Sequence, residues 1–365
     1  MLRDFWFVLI GVLWAGFFVL EGFDFGVGML LPVVGGRAEA DRRDVLATIG
    51  PVWDGNEVWL LTAGGAMFAA FPEWYASLFS GLYLALFVLL LALIVRGVSL
   101  EYRGKVATAA ARAWCDRGIV AGGALPALLF GVAFANVVRG LAMTSDHRVT
   151  TGFFGLLNPY ALLGGVTTVL LFSLHGAVFL ALKTGGPPRA RARAAARTLA
   201  VPTPLALAGF LAWTIELRGG ESAAAVAAAS VAALLAAVVT FRAGRDGWAF
   251  LGTAAATGLL VATWFTALFP DVLPARGEGA GLTVESASSS HYTLTVMTVV
   301  ALVVTPVVLA YQAWSYWVFR RRILGGGPPV PAGPEAPAGP EAPAGPEAPA
   351  GLEAPAGPGT GARAQ

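Results

Sequence analysis

The sequence predicts an all-α, polytopic membrane protein of about nine transmembrane helices, since about 20 apolar residues span a bilayer and such runs recur along the whole chain. Composition agrees: 57% of the 365 residues are hydrophobic and only 13% charged, where a soluble domain of average make-up carries roughly 25% charged residues. A chain this poor in charge cannot cover its own surface, so lipid must cover it. Eleven Trp and 22 Phe fit the same reading, because aromatic side chains gather at the membrane interface. The third observation is the placement of Lys and Arg, which falls on alternate connections.

Taken in order, the apolar runs place helices near 5–32, 51–70, 74–96, 118–140, 159–183, 199–217, 222–241, 248–269 and 293–319. The second has a polar start. Pro32, Pro72, Pro159 and Pro270 fall at or near helix ends, where proline does least harm. Gly164 with Gly165 and the Ala-rich stretch 223–229 suit close helix approach in lipid. With the N-terminus outside, every basic residue but Arg3, Arg139, Arg148, Arg218 and Arg276 lies in an inner connection or after the ninth helix. That satisfies the positive-inside rule and puts the C-terminus in the cytoplasm. The first apolar run is too long for a cleavable signal, lacks a small-residue cleavage site and is interrupted by acids. Residues 1–324 thus read as the transmembrane helical domain. The stretch 325–365 repeats AGPEAP and has no apolar face to bury, so it reads as a disordered cytoplasmic tail. The outer connection 270–292 reads as irregular.

The single cysteine, Cys115, falls in the inner connection between the third and fourth runs and excludes an internal disulfide. The basic residues sit in short loops, so the net charge of +2 gives no reason to expect nucleic acid as a partner.

The chemistry lies in acids inside the apolar runs. Glu21 and Asp24 share one face of the first helix, and Asp54 and Glu57 have the same spacing at the start of the second. Arg96 and Glu101 fall at the inner end of the third. All of these belong to the cytoplasmic half of the membrane. A charged carboxylate at mid-bilayer costs at least ~2.5–3.5 kcal/mol, so four unpaired ones would cost on the order of 10 kcal/mol. They must face the bundle interior. Three explanations compete: structural pairing, for instance with Arg96; a cation site; and a proton relay of carboxylates that hold and release protons near neutral pH. The glycines of GFDFGVG and TAGG allow either close helix approach or room for water beside the carboxylates.

Haem inside a helix bundle needs axial His or Met. Of three histidines, His147 and His291 fall in outer loops and His175 stands alone in the fifth helix, where a hydrogen-bonded packing role is the commoner one. No Cys cluster, phosphate-binding glycine loop or Ser/His/Asp set occurs. Redox chemistry is therefore expected on a partner, with no catalytic, cofactor-binding or metal-ligating residue on this chain. The alternative reading is a proton- or cation-coupled secondary transporter, although the matched broken helices of transporter repeats are not seen.

The strings GFDFGVGML at 22–30, GPVWDGNEVWLLTAGGAMFAAFPEWYA at 50–76, LEYRGK at 100–105, LFGVAFANVVRG at 129–140, FFGLLNPY at 153–160 and TLTVMTVVALVVTPVVLAYQAWSYWVF at 293–319 resemble subunit II of the cytochrome bd-type quinol oxidases. The resemblance covers nearly everything except the tail. It implies two four-helix bundles plus one peripheral helix in a bacterial inner membrane. It further implies a haem-free subunit of a complex that oxidises quinol and reduces oxygen to water. The partner would be the haem-bearing subunit I, which holds haem b and haem d; a quinone or lipid is a further candidate occupant. By motif match, a cytoplasmic proton path would run over Asp54, Asp24, Glu21 and Glu101. Glu57 stands where an amide side chain also occurs in the family.

Overall fold

The computed structural model describes residues 1–277 and 279–324; the expected tail 325–365 lies outside them. The first bundle is formed by α1 (Leu2–Val34), α3 (Trp53–Ala70), α5 (Tyr83–Arg103) and α6 (Ala109–Arg139). The second is formed by α7 (Pro159–Lys183), α9 (Pro202–Arg218), α10 (Glu221–Arg242) and α11 (Asp246–Leu268). The remaining long helix, α12 (His291–Val318), lies at the periphery and buries only Leu294. The expected two bundles plus one helix are therefore present. Seven of these nine are long and apolar enough to cross a membrane. The other two are α3, of 18 residues with acids in its first two turns, and α9, of 17. At 1.5 Å per residue each is roughly 25 Å long, close to the hydrocarbon thickness.

Three shorter helices lie between the long ones. α2 (Glu39–Ala47) and α8 (Gly186–Leu199) occupy connections that the hydropathy pattern reads as plain loops. The third, α4 (Pro72–Gly81), begins with Pro72 at its first turn, as the proline preference for that position predicts. The expected run 74–96 is thus two helices broken at Leu82, and its second part continues to Arg103. Cys115, expected in a loop, lies inside α6. Hydropathy alone misplaces both boundaries because charged residues end an apolar window without ending the helix. The connection 270–292 is less irregular than expected. It contains β2 (Asp271–Leu273), β3 (Ala275–Arg276) and β4 (Leu282–Thr283); β2 pairs with β4, and β3 pairs with β1 (Leu141–Ala142) in parallel.

The bundles meet along α1, α6, α7 and α11. At the crossing of α1 and α7 the backbones touch: a Cβ on Gly26 would overlap the Phe172 carbonyl oxygen, and one on Gly176 would lie 2.6 Å from Val27 N. Association in lipid has no hydrophobic driving force between helices, so close approach of this kind and shape fit must supply it. Aromatic packing adds to it. Phe134 stacks on Trp264 at 4.9 Å, and Phe18 meets the same indole edge-on at 5.6 Å. Such pairs contribute about 0.5–1.5 kcal/mol each beyond area burial. The glycines of GFDFGVG therefore serve close packing. Gly64 and Gly65 of TAGG differ: an added Cβ would meet nothing within 4 Å, and both line an apolar groove of about 530 Å³ between α3, α4 and α5.

One end of the bundle is knitted by ion pairs that involve α2 and α8. Arg103 Nε reaches Asp116 at 2.5 Å and its Nη1 reaches Glu39 at 2.8 Å, while Arg42 bonds the other Asp116 oxygen at 2.6 Å. Arg191 meets Asp41 at 2.5 Å, and Arg189 and Arg193 both hold Asp246. At the same end the strand-like segment after α12 is stitched to the end of α7: Ile323 N donates to the Lys183 carbonyl at 2.8 Å.

Candidate functional site

The acids of the first bundle are organised around one arginine. Arg96 is fully buried on α5, three turns into the helix rather than at a boundary. Its Nη1 donates to Glu21 of α1 and, at 2.8 Å, to Glu57 of α3. The guanidinium also lies over the Phe25 ring, 4.9 Å from its centroid. The Glu21 side chain is 0% exposed and that of Glu57 25%. One charged group thus serves two carboxylates from two other helices.

Asp24, one turn further along α1, is fully buried but takes a different partner. Asn56 Nδ2 donates to Asp24 Oδ2 at 2.6 Å. The Asn56 carbonyl oxygen in turn accepts from Gln312 Nε2 at 3.0 Å and from the Tyr316 hydroxyl at 2.9 Å, both on α12. α12 is thereby tied into the site by polar contacts although almost all of its surface is uncovered. Sequence reading missed Asn56, Gln312 and Tyr316. The available signals were an amide inside the acidic WDGNEVW string and a lone Gln among apolar neighbours at 312.

Four buried atoms of the cluster have no hydrogen-bond partner among the described residues: Glu21 Oε2, Asp24 Oδ1, and Arg96 Nε and Nη2. Buried polar atoms are nearly always paired, so this group of four within one cluster stands out in the bundle. Three carboxylates face one guanidinium.

The structure brings together three of the five acids singled out in the sequence: Glu21, Asp24 and Glu57. Asp54 stands in the first turn of α3 and is exposed. Glu101 is also exposed; its side chain pairs with Lys105 at 3.7 Å. It lies five residues beyond Arg96, about 140° round the helix and roughly 7.5 Å along it. His175 of α7 is buried between the bundles. Its Nδ1 contacts the Thr253 hydroxyl at 2.7 Å and its Nε2 the Val19 carbonyl at 3.1 Å, with the ring stacked on Phe250.

Eight long helices in two bundles and a ninth at their periphery, with carboxylates gathered about one arginine inside the first bundle, define a polytopic membrane protein with an intramembrane cluster of charged groups. Residues 2–319 match the family model of cytochrome bd terminal oxidase subunit II. The chain is 42% identical over 329 residues to cytochrome bd ubiquinol oxidase subunit 2 of Bacillus subtilis, covering 88% of this chain and 97% of that one. It is 37% identical over 362 residues to cytochrome bd-I ubiquinol oxidase subunit 2 of Escherichia coli, covering 88% and 95%. The fold is similar to a chain in the structure of bd oxidase from Geobacillus thermodenitrificans, with a TM-score of 0.72, 16% identity, and 87% and 98% of the two chains covered. The chain belongs to the cytochrome bd terminal oxidase subunit II family. It is accordingly part of an oxidoreductase complex, and the transporter reading is set aside.

Proposed function

We propose that this chain is the haem-free subunit of a quinol-oxidising, oxygen-reducing bd-type oxidase, and that it conducts protons to a partner subunit I that holds haem b and haem d. The observation that carries this reading is the buried Glu21–Arg96–Glu57 and Asp24–Asn56 network with its unpaired carboxylate oxygens. Glu101 would take protons at the cytoplasmic mouth, Asp54 and Glu57 would pass them inward, and Asp24 with Glu21 would hold them nearest the partner's oxygen site. A carboxylate can both accept and release a proton, and Asn56 and Arg96 orient the carboxylates so that a neighbouring oxygen stays free. The positive-inside pattern supports the cytoplasmic placement, since the ion-paired basic end of the bundle is the end where Glu101 and Asp54 lie.

The engagement of both His175 nitrogens within the protein supports haem being ligated elsewhere. The uncovered face of α3, α5 and α12 supports the partner contact. On these helices Phe87, Leu90, Ile94, Val303, Val307 and Trp314 are exposed, and so is Asp54 at the start of α3.

The test is quinol oxidase turnover of the purified complex carrying Asp24→Asn or Asp54→Asn. Both variants are expected to lower turnover while the haem spectrum is retained. Full assembly with full turnover in both would overturn the relay. Loss of haem d absorbance would instead show that the residue acts in assembly.

A further inference from the structure

At the end of the bundle opposite the ion-paired one, a crevice of about 440 Å³ lies between the end of α6, β3 and the short 3₁₀ turn Phe153–Leu156. Arg139, the last residue of α6, and Arg276 of β3 both line it. The pairing of β1 with β3 sets Arg276 opposite Ala142, and the Arg276 side chain packs across Gly140: a Cβ there would lie 3.1 Å from Arg276 Cγ. Gly140 has a φ of +87°, a conformation that favours glycine, and its missing Cβ leaves room for that side chain. The β1–β3 pairing thus brings Arg276 to the recess that Arg139 also lines.

Among the described residues no acid lines the crevice, and neither arginine makes an ion pair or hydrogen bond. Two other arginines at this end do have acidic partners: Arg218 meets Asp271 at 2.9 Å and Arg3 meets Glu285 at 3.3 Å. A cation at a helix C-terminus complements the helix dipole, which accounts for Arg139 alone but not for a second guanidinium beside it. The Thr151 hydroxyl also lines the recess. It accepts from Ala142 N at 2.9 Å, which leaves its proton for donation. Asn136, by contrast, is fully used: it donates to the Val132 and Leu156 carbonyls and accepts from Asn158. Of the side chains described in the lining, those left free are the two guanidiniums and the Thr151 hydroxyl proton.

We propose that this crevice is a binding site for a phosphate group, held by Arg139 and Arg276 with the Thr151 hydroxyl as a third donor. Guanidinium planes match phosphate oxygens in pairs, and one phosphate between the two arginines removes their mutual repulsion. The phosphate belongs either to an anionic phospholipid or to the free ion. The exposed Phe154 and Leu157 beside the crevice give a lipid's glycerol and acyl region an apolar surface to lie on.

The test uses the complete detergent-purified oxidase complex. Native mass spectrometry measures phosphatidylglycerol binding against diacylglycerol as the phosphate-free control, and equilibrium dialysis measures radiolabelled inorganic phosphate. The wild type is expected to hold one more phosphatidylglycerol or phosphate than Arg276→Gln, with the affinity at that site lowered about tenfold or more, as loss of a charged hydrogen bond implies. Arg276→Lys should retain most of the binding. Uptake of the lipid alone identifies a headgroup site, and uptake of both ligands identifies a site open to the free ion. Arg276 is exposed, so its substitution leaves folding intact; Arg139→Gln is the second variant. Equal binding of both ligands by wild type and Arg276→Gln, or no binding by the wild type, would overturn the proposal.

Discussion

The loss of Arg96 gives the sharpest measure of the cluster. In Arg96→Met the side chain keeps much of its volume and loses its charge, leaving Glu21 at 0% exposure and Glu57 at 25% without their shared partner. Breaking a buried ion pair from one side typically costs about 3–5 kcal/mol, because the remaining charge is stranded in low dielectric. Glu21 should carry most of this, since Glu57 keeps some exposure. Removing both sides of the pair is far milder, because apolar or neutral groups of similar volume can replace a buried pair at little cost. The assay is a double-mutant cycle over Arg96→Met, Glu21→Gln and the combined variant. It is read by equilibrium unfolding of the complex in mixed micelles. The combined variant should be more stable than Arg96→Met alone, with a coupling of about 2 kcal/mol. A single Arg96→Met variant within about 1 kcal/mol of wild type, or a combined variant no better than it, would refute the description of Arg96 as the counter-charge of Glu21.

Three further outcomes follow, two from packing and one from a charge outside the membrane. Gly26→Ala should destabilise the bundle by about 1–3 kcal/mol, since its Cβ overlaps the Phe172 carbonyl oxygen; thermal unfolding of the solubilised complex reads this. In the same assay Gly209→Ala, where an added Cβ meets nothing within 4 Å, should be neutral or slightly stabilising. On α2, partial burial and then the Asp41 charge hold the Asp44 carboxyl above its ordinary range. A raised acid binds more protons in the folded than in the unfolded state, so its contribution to stability falls as pH rises through that range. Asp44→Asn should therefore melt slightly higher than wild type at pH 7, and the gap should close as pH falls below the ordinary carboxylate range. An Asn variant no more stable than wild type at neutral pH would contradict this.

Much of the architecture follows from local quantities. Apolar run length and the alternation of Lys and Arg are properties of short windows, so all nine long helices and the acids inside α1 and α3 could be read along the chain. The strings at 22–30 and 50–76 also carried the family resemblance, which the family match across residues 2–319 bears out. Helix boundaries were less legible. Arg96 and the charges after it close an apolar window, yet α5 continues to Arg103 because Arg96 is neutralised by partners on other helices.

Those partners are what only the tertiary structure decided. In lipid one apolar helix face resembles another, so hydropathy does not tell which face packs and which meets the bilayer. Nothing in the sequence joins Asn56 to Gln312 and Tyr316, some 260 positions away, or turns Glu101 outward toward Lys105 while Glu21 is enclosed. The sequence by itself determined that acids lie in the membrane, because they fall inside apolar runs long enough to span it. Packing decided which of them share Arg96, because that depends on the rotation and crossing of α1, α3 and α5, set by contacts such as that between Gly26 and Phe172.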